Sequence, residues 1–364
     1  MKILELSPSL APGGAERFTV DLCNELAETN EVTLLVMRNY RNSHFYEKDV
    51  SDKVHLILEN GKLTKWSKIL QLIIVLIYII KIKPDVVHAH TVGINWLILP
   101  SLLYPKAKYF FTIHNVAAKE CTTKIGFIVR KFLFKRNVIP ISISETCRKT
   151  FYDYFKFSCD HVIFNGCRDV HLSKDAESAI MEINSYKKNA DTKVYINVAR
   201  IMPQKNQQLL IKAFNEFVRK GENAILLIIG DYKRFPLAKK ELDCLIDNDC
   251  IHFLGTKNNV PDYLCASDYF CLSSLWEGLP ISLLEAGLSG CFPISTPAGG
   301  VVDIILNDTW GFLSKDFSKE AYLAVLEKSA HFTYDKDRLE RQYKDNFLMK
   351  KCASNYIRLF EKYK

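Results

Sequence analysis

The chain has 364 residues, 48% of them hydrophobic, with a formal net charge of +8. Such a length suggests two domains and is ample to bury two cores. Eleven cysteines fall without metal-ligand spacing, and the chain opens on a strand, Met1-Lys-Ile-Leu-Glu-Leu6, with no secretory signal, so reduced cytoplasmic thiols are expected rather than a disulfide framework.

The elements alternate between strand and helix along the chain. Lys2–Leu6 reads as a strand, followed by a Pro/Gly loop and a helix over 15–28. Strands follow at 32–37, 85–90, 109–114, 138–144 and 161–164, with a helix over 67–82 that Pro84 ends. Residues 169–190 are polar and weakly patterned, which suits a linker. A second series begins at Val194, with strands at 194–199, 224–230, 251–254, 268–274 and 293–295. Helices lie between them at 207–219, 237–246 and 280–289. Repeated βα alternation argues for parallel sheets covered by helices. Two such series predict two doubly wound, Rossmann-like α/β domains facing across a cleft, with ligands beyond the carboxyl ends of the strands. The expected boundaries are 1–168, a linker at 169–190, and 191–347. A terminal helix at 348–364 is expected to pack back on the first domain.

Charge is unevenly placed. Residues 61–140 hold thirteen Lys and Arg against two Asp and Glu, which points to an anionic partner for the first half. No nucleic-acid recognition motif accompanies them, so nucleic acid is not expected. A membrane surface fits better, because the stretch is also very apolar. Its run Ile69–Ile80 has one polar interruption in twelve residues, too short to span a bilayer. A buried helix of the first domain is the first reading of that run, and a helix lying on a membrane is the second. In Phe127–Arg136 bulky apolar residues alternate with cations, including Arg130, Lys131, Lys135 and Arg136.

The most informative stretch runs from Glu277 to Glu285, Glu-Gly-Leu-Pro-Ile-Ser-Leu-Leu-Glu. Pro280 suits a first helical turn, and Gly278 and Leu279 lead into it, the glycine allowing close approach of a ligand to the backbone. Glu277 then lies just outside a helix N-terminus that favours an anion. Glu285 lies inside the helix beside Ile281 and Leu288, a costly place for a carboxylate without a hydrogen-bond partner. One carboxylate for a sugar hydroxyl, one for a ribose and amides for a phosphate is one reading. A dipole-complementing Glu277 and a Glu285 bonded to a core hydroxyl is the other. Arg200 ends a strand, and Lys205 precedes a helix start, where a cation opposes the dipole unless an anion sits there. A diphosphate would resolve this; a solvated basic loop is the alternative. Gly13 and Gly14 join the first strand to the first helix, either for close ligand approach or as a tight turn. Gly255 could expose backbone groups to a nucleobase. His114 closes a strand. His88 and His90 point to one side of another strand, but no third ligand is evident in the sequence, and no metal is expected.

Together these residues resemble glycosyltransferase family 4, whose members are retaining enzymes of the GT-B fold. The match runs over nearly the whole chain: Gly13-Gly14-Ala15-Glu16, Pro84–His90, Thr112–Asn115, Val162–Gly166, Val198–Asn206 and Glu277–Glu285. The resemblance implies that Arg200 and Lys205 bind the donor diphosphate, that Glu277 contacts the donor sugar and that Glu285 contacts the ribose. It places the first glycine loop and His114 toward the reacting sugar. Two departures, Ala199 and Asp303, stand where Gly and Glu are usual. The implied activity is retaining transfer from a nucleotide sugar, UDP-sugar favoured, to a glycan or lipid-linked acceptor in cell-surface polysaccharide biosynthesis. No metal or other cofactor is implied. The expected location is the cytoplasm, with peripheral contact to the inner face of the membrane through residues 61–140. A nucleotide-sugar 2-epimerase and an inactive sugar-nucleotide binding protein share the architecture.

Overall fold

A computed structural model describes residues 1–37, 44–59, 65–232 and 235–364, without the side chains of 65–68. The chain forms two compact units. The first is Met1–Arg168 with Phe347–Lys364, and the second is Asp169–Asn346.

The first unit is built on a parallel sheet. Its strands are β1 (Lys2–Ser7), β2 (Glu31–Val36), β3 (Val54–Leu58), β4 (Val86–His90), β5 (Lys108–Ile113), β6 (Val138–Ser142) and β7 (His161–Val162), in the spatial order β3-β2-β1-β4-β5-β6-β7. The strands β1, β4 and β5 are nearly continuous buried runs, as expected when helices cover both faces of a sheet. The order reverses between β1 and β4, which pair in parallel with Glu5 opposite His88. The helix Gly14–Leu26 follows β1 directly.

The terminal helix Met349–Tyr363 belongs to this unit. The Cys167 N–H donates to the Phe347 carbonyl at 2.8 Å, and the Met349 N–H donates back to Cys167 at 2.8 Å. A Cβ on Gly166 would lie 2.7 Å from both Met349 Cα and Cys352 Cβ, so only glycine permits the crossing. Tyr356 and Phe360 then carry the helix onto Phe18, His88 and Phe110.

The second unit repeats the plan. Its strands are β8 (Lys193–Val198), β9 (Ala224–Ile229), β10 (Ile251–Gly255), β11 (Tyr269–Leu272), β12 (Phe292–Ser295) and β13 (Phe312–Leu313), in the order β10-β9-β8-β11-β12-β13. The reversal here lies between β8 and β11. The expected linker at 169–190 is corrected. It contains the helix Ala176–Tyr186, which buries Ala179 and Ile183 and pairs Glu182 with Lys257 at 2.8 Å. Only those two positions of the helix are buried, too few to print a period on the sequence.

Two expectations for the basic stretch also change. The helix Lys65–Ile82 is not buried all round. It buries Gln71, Val75 and Ile79 and exposes Ile69, Leu70, Ile73, Ile77 and Ile80, one stripe at helical spacing. Arg130 is not a surface cation: it is 4% exposed, over the Phe111 ring and 4.0 Å from Glu120. Burial raises the Glu120 carboxyl to about 7, against the pull of that guanidinium. On the same helix, Lys124–Arg136, Ile125, Ile128 and Phe132 are exposed, while Phe134 packs on Phe111, Phe151 and Phe155. Residues 61–64 lie outside the described residues. Among the described residues no helix is long and apolar enough to cross a membrane.

Candidate active site

In the second unit the loops after β8 and β11 flank the point where strand order reverses. That is where doubly wound sheets place their ligands, because the flanking connections diverge there and leave a crevice. The β8 loop carries Arg200 and a short 3-10 turn, Pro203–Lys205, before the helix Gln207–Arg219. Asn206 sits at φ +49° between turn and helix, a left-handed bend that asparagine tolerates better than most residues. The β11 loop carries Ser273, Ser274, Glu277, Gly278 and Leu279 before the helix Ile281–Leu288. Pro280 stands one residue before that helix rather than within it.

Hydrogen bonds stitch the two loops together. The Leu275 N–H donates to the Gln204 carbonyl at 2.9 Å, and the Gln204 side-chain amide donates to the Trp276 carbonyl at 2.8 Å. The Ser273 hydroxyl donates to the Lys205 carbonyl at 2.9 Å. The Lys205 ammonium and the Ser274 hydroxyl both donate to Glu277 Oε1, each at 2.6 Å. Glu277 is buried, and its pair with Lys205 is mostly shielded from solvent. A third loop braces this arrangement from behind. The Gly300 N–H donates to the Gly278 carbonyl at 3.0 Å. Gly299 has φ +58°, and a Cβ there would lie 1.9 Å from the Glu277 carbonyl oxygen. No other residue fits that contact.

The other donor-side candidates are placed as follows. Arg200 is exposed at the carboxyl edge, its carbonyl accepting from the Gln207 side chain at 3.0 Å. Glu285 is partly exposed inside its helix, between buried Leu284 and Ala286. Gly255 ends β10 with φ +68°, and its carbonyl accepts the Gly230 N–H at 2.9 Å. Neither the helix at Gln207 nor the one at Ile281 has a side-chain cap. Both N-termini therefore keep amides available to an anion.

In the first unit Gly13 is the residue before the helix Gly14–Leu26, at the carboxyl end of β1. His114 follows β5. Phe18 of that helix ties the two together, its ring edge-on to His114 at 5.5 Å and to His90 at 6.1 Å. Beneath them lies a buried polar cluster. The Glu5 carboxylate lies 3.1 Å from His88 Nδ1 and 2.8 Å from His90 Nε2. His88 Nε2 is 2.7 Å from the Thr112 hydroxyl, which contacts the Tyr356 hydroxyl at 2.9 Å. His90 Nδ1 is 2.9 Å from His114 Nε2.

Burial opposes ionisation of Glu5 most strongly. Attraction to His88, with hydrogen bonds from His88 and His90, overcomes it and holds the group at about 2. Burial first, then repulsion from His88, lowers His90 to about 4. Burial also holds His114 well below the usual imidazole range. Glu5 is the third ligand-type residue that the sequence does not reveal beside His88 and His90. Their ligand atoms fall within 4.8 Å of one another. Each is engaged by a hydrogen bond within the cluster, so the arrangement is a complete hydrogen-bonded network as it stands.

Comparisons with known proteins identify the family and the fold. The family model for glycosyltransferase family 4 matches residues 12–168, and that for glycosyl transferases group 1 matches residues 180–344. The chain belongs to these glycosyltransferases. It is 27% identical over 310 residues to an uncharacterized glycosyltransferase of Methanocaldococcus jannaschii, covering 76% of each chain. It is 30% identical over 252 residues to the UDP-Gal:alpha-D-GlcNAc-diphosphoundecaprenol alpha-1,3-galactosyltransferase of Escherichia coli, covering 64% of this chain and 63% of that one. The crystal structure of Anabaena HepE in complex with UDP and glucose superposes with a TM-score of 0.79 at 18% identity, covering all of both chains. The fold of this glycosyltransferase is therefore GT-B.

The glycosyltransferase brings together Lys205 and Glu277, which the sequence holds 72 residues apart. It also adds Gln204, Ser273, Ser274 and Gly299. The serine pair at a strand end was a usable signal in the sequence. Gln204 was not, because a glutamine in a loop has no distinguishing pattern.

Proposed function

We propose that this glycosyltransferase is a retaining, metal-independent enzyme. It moves a sugar from a nucleoside-diphosphate sugar, a UDP-sugar foremost, to a lipid-linked or glycan acceptor at the cytoplasmic face of a membrane. The observation that carries this reading is the Lys205–Glu277 pair at the strand-order reversal of the second sheet. A cation for a diphosphate and a carboxylate for a sugar hydroxyl sit side by side there, held by stitched loops. The relative in Escherichia coli supports the acceptor class, since its name specifies a diphosphoundecaprenol-linked sugar.

Cleavage of the anomeric C–O bond places positive charge on the sugar and negative charge on the departing diphosphate. Arg200 and Lys205 stabilise the leaving oxygens, and preorganised charge of this kind is often the largest single catalytic term. Glu277 holds donor hydroxyls, Glu285 the ribose, and His114 the reacting sugar. With no carboxylate assigned as base, the acceptor attacks from the face the diphosphate leaves and passes its hydroxyl proton to the departing phosphate oxygen.

Product analysis tests the reading. Thermal shift with UDP-, GDP- and ADP-sugars selects the donor, since a ligand at about 100 times its Kd adds roughly 2.7 kcal/mol. With that donor, an acceptor-dependent α-linked product from an α-linked donor is expected by NMR. A β-linked product overturns retention. An altered donor sugar without acceptor indicates an epimerase, and donor binding without product an inactive binding protein.

A further inference from the structure

The buried cluster under His114 has a direction. Glu5 is fully buried at the centre of the sheet, directly opposite His88 in the β1–β4 register. A carboxylate only accepts hydrogen bonds. Its contact with His90 Nε2 at 2.8 Å therefore places a proton on that nitrogen. His90 is 1% exposed and packed against a second histidine ring at 4.3 Å, a setting that favours the neutral imidazole. A neutral ring with Nε2–H has a bare Nδ1. That bare Nδ1 lies 2.9 Å from His114 Nε2, so His114 must supply the proton between them. The other nitrogen of His114, Nδ1, is then the bare one, and among the described residues nothing is bonded to it. His114 is partly exposed, with Phe18 against one side of its ring.

We propose that Glu5 and His90 are positioning residues that fix His114 as its Nε2–H tautomer, so that Nδ1 of His114 accepts a hydrogen bond from a donor-sugar hydroxyl. The hydroxyl contact rests on the placement of His114 under the proposed function; the tautomer does not. Three strands contribute, with Glu5 on β1, His90 on β4 and His114 just beyond β5. The order thus passes from a buried charge to a partly exposed ring through one intermediate imidazole, as second-shell partners orient a ligating histidine elsewhere. Phe18 fixes the ring plane, and the Glu5–His90 chain fixes which nitrogen is bare. A sugar hydroxyl that must donate here cannot donate elsewhere, which selects one hydroxyl rotamer of the bound donor.

Long-range ¹⁵N–¹H correlation on the full chain, labelled at histidine and assigned with His114→Gln, reads the tautomer without any substrate. The expected result is a single Nε2–H form for His114 from pH 6 to 8. His90→Asn keeps an acceptor at the position of Nδ1 and should retain that form. His90→Leu removes it and should give averaged imidazole shifts. In kinetics, His90→Leu should lower kcat/KM for the donor about tenfold, the scale of one hydrogen bond. His90→Asn should recover most of that loss, and nucleoside diphosphate affinity should stay unchanged in both. An Nδ1–H or doubly protonated His114 in the wild type overturns the relay. The expected tautomer with full activity in His90→Leu overturns the sugar contact, while leaving the assignment of Lys205 and Glu277 intact.

Discussion

Lys205 Nζ lies 2.6 Å from Glu277 Oε1, across two loops that no local sequence signal connects. In the proposed reaction these groups serve different parts of the donor, one the diphosphate and the other the sugar. Paired with each other, they hold one another in place and keep a buried carboxylate compensated. Donor binding must then draw Lys205 partly away from Glu277 and toward phosphate.

This relationship gives opposite signs for two variants. Glu277→Gln releases Lys205, so a nucleoside diphosphate should bind about tenfold tighter, the scale of one hydrogen bond to a charged group. Turnover should nevertheless fall about a hundredfold. Lys205→Ala should weaken nucleotide binding and lower turnover about a hundredfold or more, as should Arg200→Ala for turnover. Titration calorimetry with the nucleotide and steady-state rates decide it. Weaker nucleotide binding in Glu277→Gln would mean that the pair does not compete with the diphosphate.

Metal removal should leave activity intact. Arg200, Lys205 and two uncapped helix N-termini supply positive potential where the diphosphate is proposed to leave. Turnover in excess EDTA is expected to equal that in Mg²⁺. A strict requirement for added Mg²⁺ or Mn²⁺ would show that the leaving group is neutralised differently.

The exposed stripes should bind anionic membranes. Ile69, Leu70, Ile73, Ile77 and Ile80 form one, and Ile125, Ile128 and Phe132 another, with exposed Lys135 and Arg136 beside the second. Apolar burial and cation–lipid attraction add in such a surface. Each cation is worth about 1 kcal/mol, so Lys135→Gln with Arg136→Gln should weaken partitioning about thirtyfold. Ile73→Ser with Ile77→Ser should weaken it further. Liposome flotation should rise with anionic lipid and fall with salt. Indifference to anionic vesicles at low salt would remove the membrane from the proposal.

Acid should expose the neutrality of His90. Its folded pKa is depressed to about 4 from an ordinary 6.5. Between those values the unfolded chain binds a proton that the folded chain does not, so stability is lost as pH falls through that window. The slope is about 1.4 kcal/mol per pH unit. Relative to His90→Asn, which lacks this titration, the wild type should lose about 3 kcal/mol between pH 7 and pH 4. Denaturant melts at several pH values measure the gap. A gap independent of pH means that His90 is not held neutral.

Much of this was legible in the sequence. Alternating βα patterns fixed two doubly wound units, because a strand buried on both faces must be uniformly apolar and a covering helix amphipathic. Glycines at 13, 14 and 278 and cations at 200 and 205 marked the loops after strand ends, since glycine and charged residues are uncommon within buried strands. The helix at 176–186, the half-exposed stripe at 69–80 and the burial of Arg130 were not legible. Each depends on which face finds a neighbour, and a one-dimensional pattern does not record neighbours. The same holds for chemistry at the site. Residue types at strand ends carry the proposal of a diphosphate and a sugar. Only the parallel register that sets Glu5 opposite His88, with His90 two residues further along β4, assembled the buried network beneath His114. Only the folding of two loops over the β8–β11 reversal brought Lys205 to Glu277. Hydrogen bonds act over about 3 Å, and separations of 72 and 85 residues close to that distance only through tertiary structure.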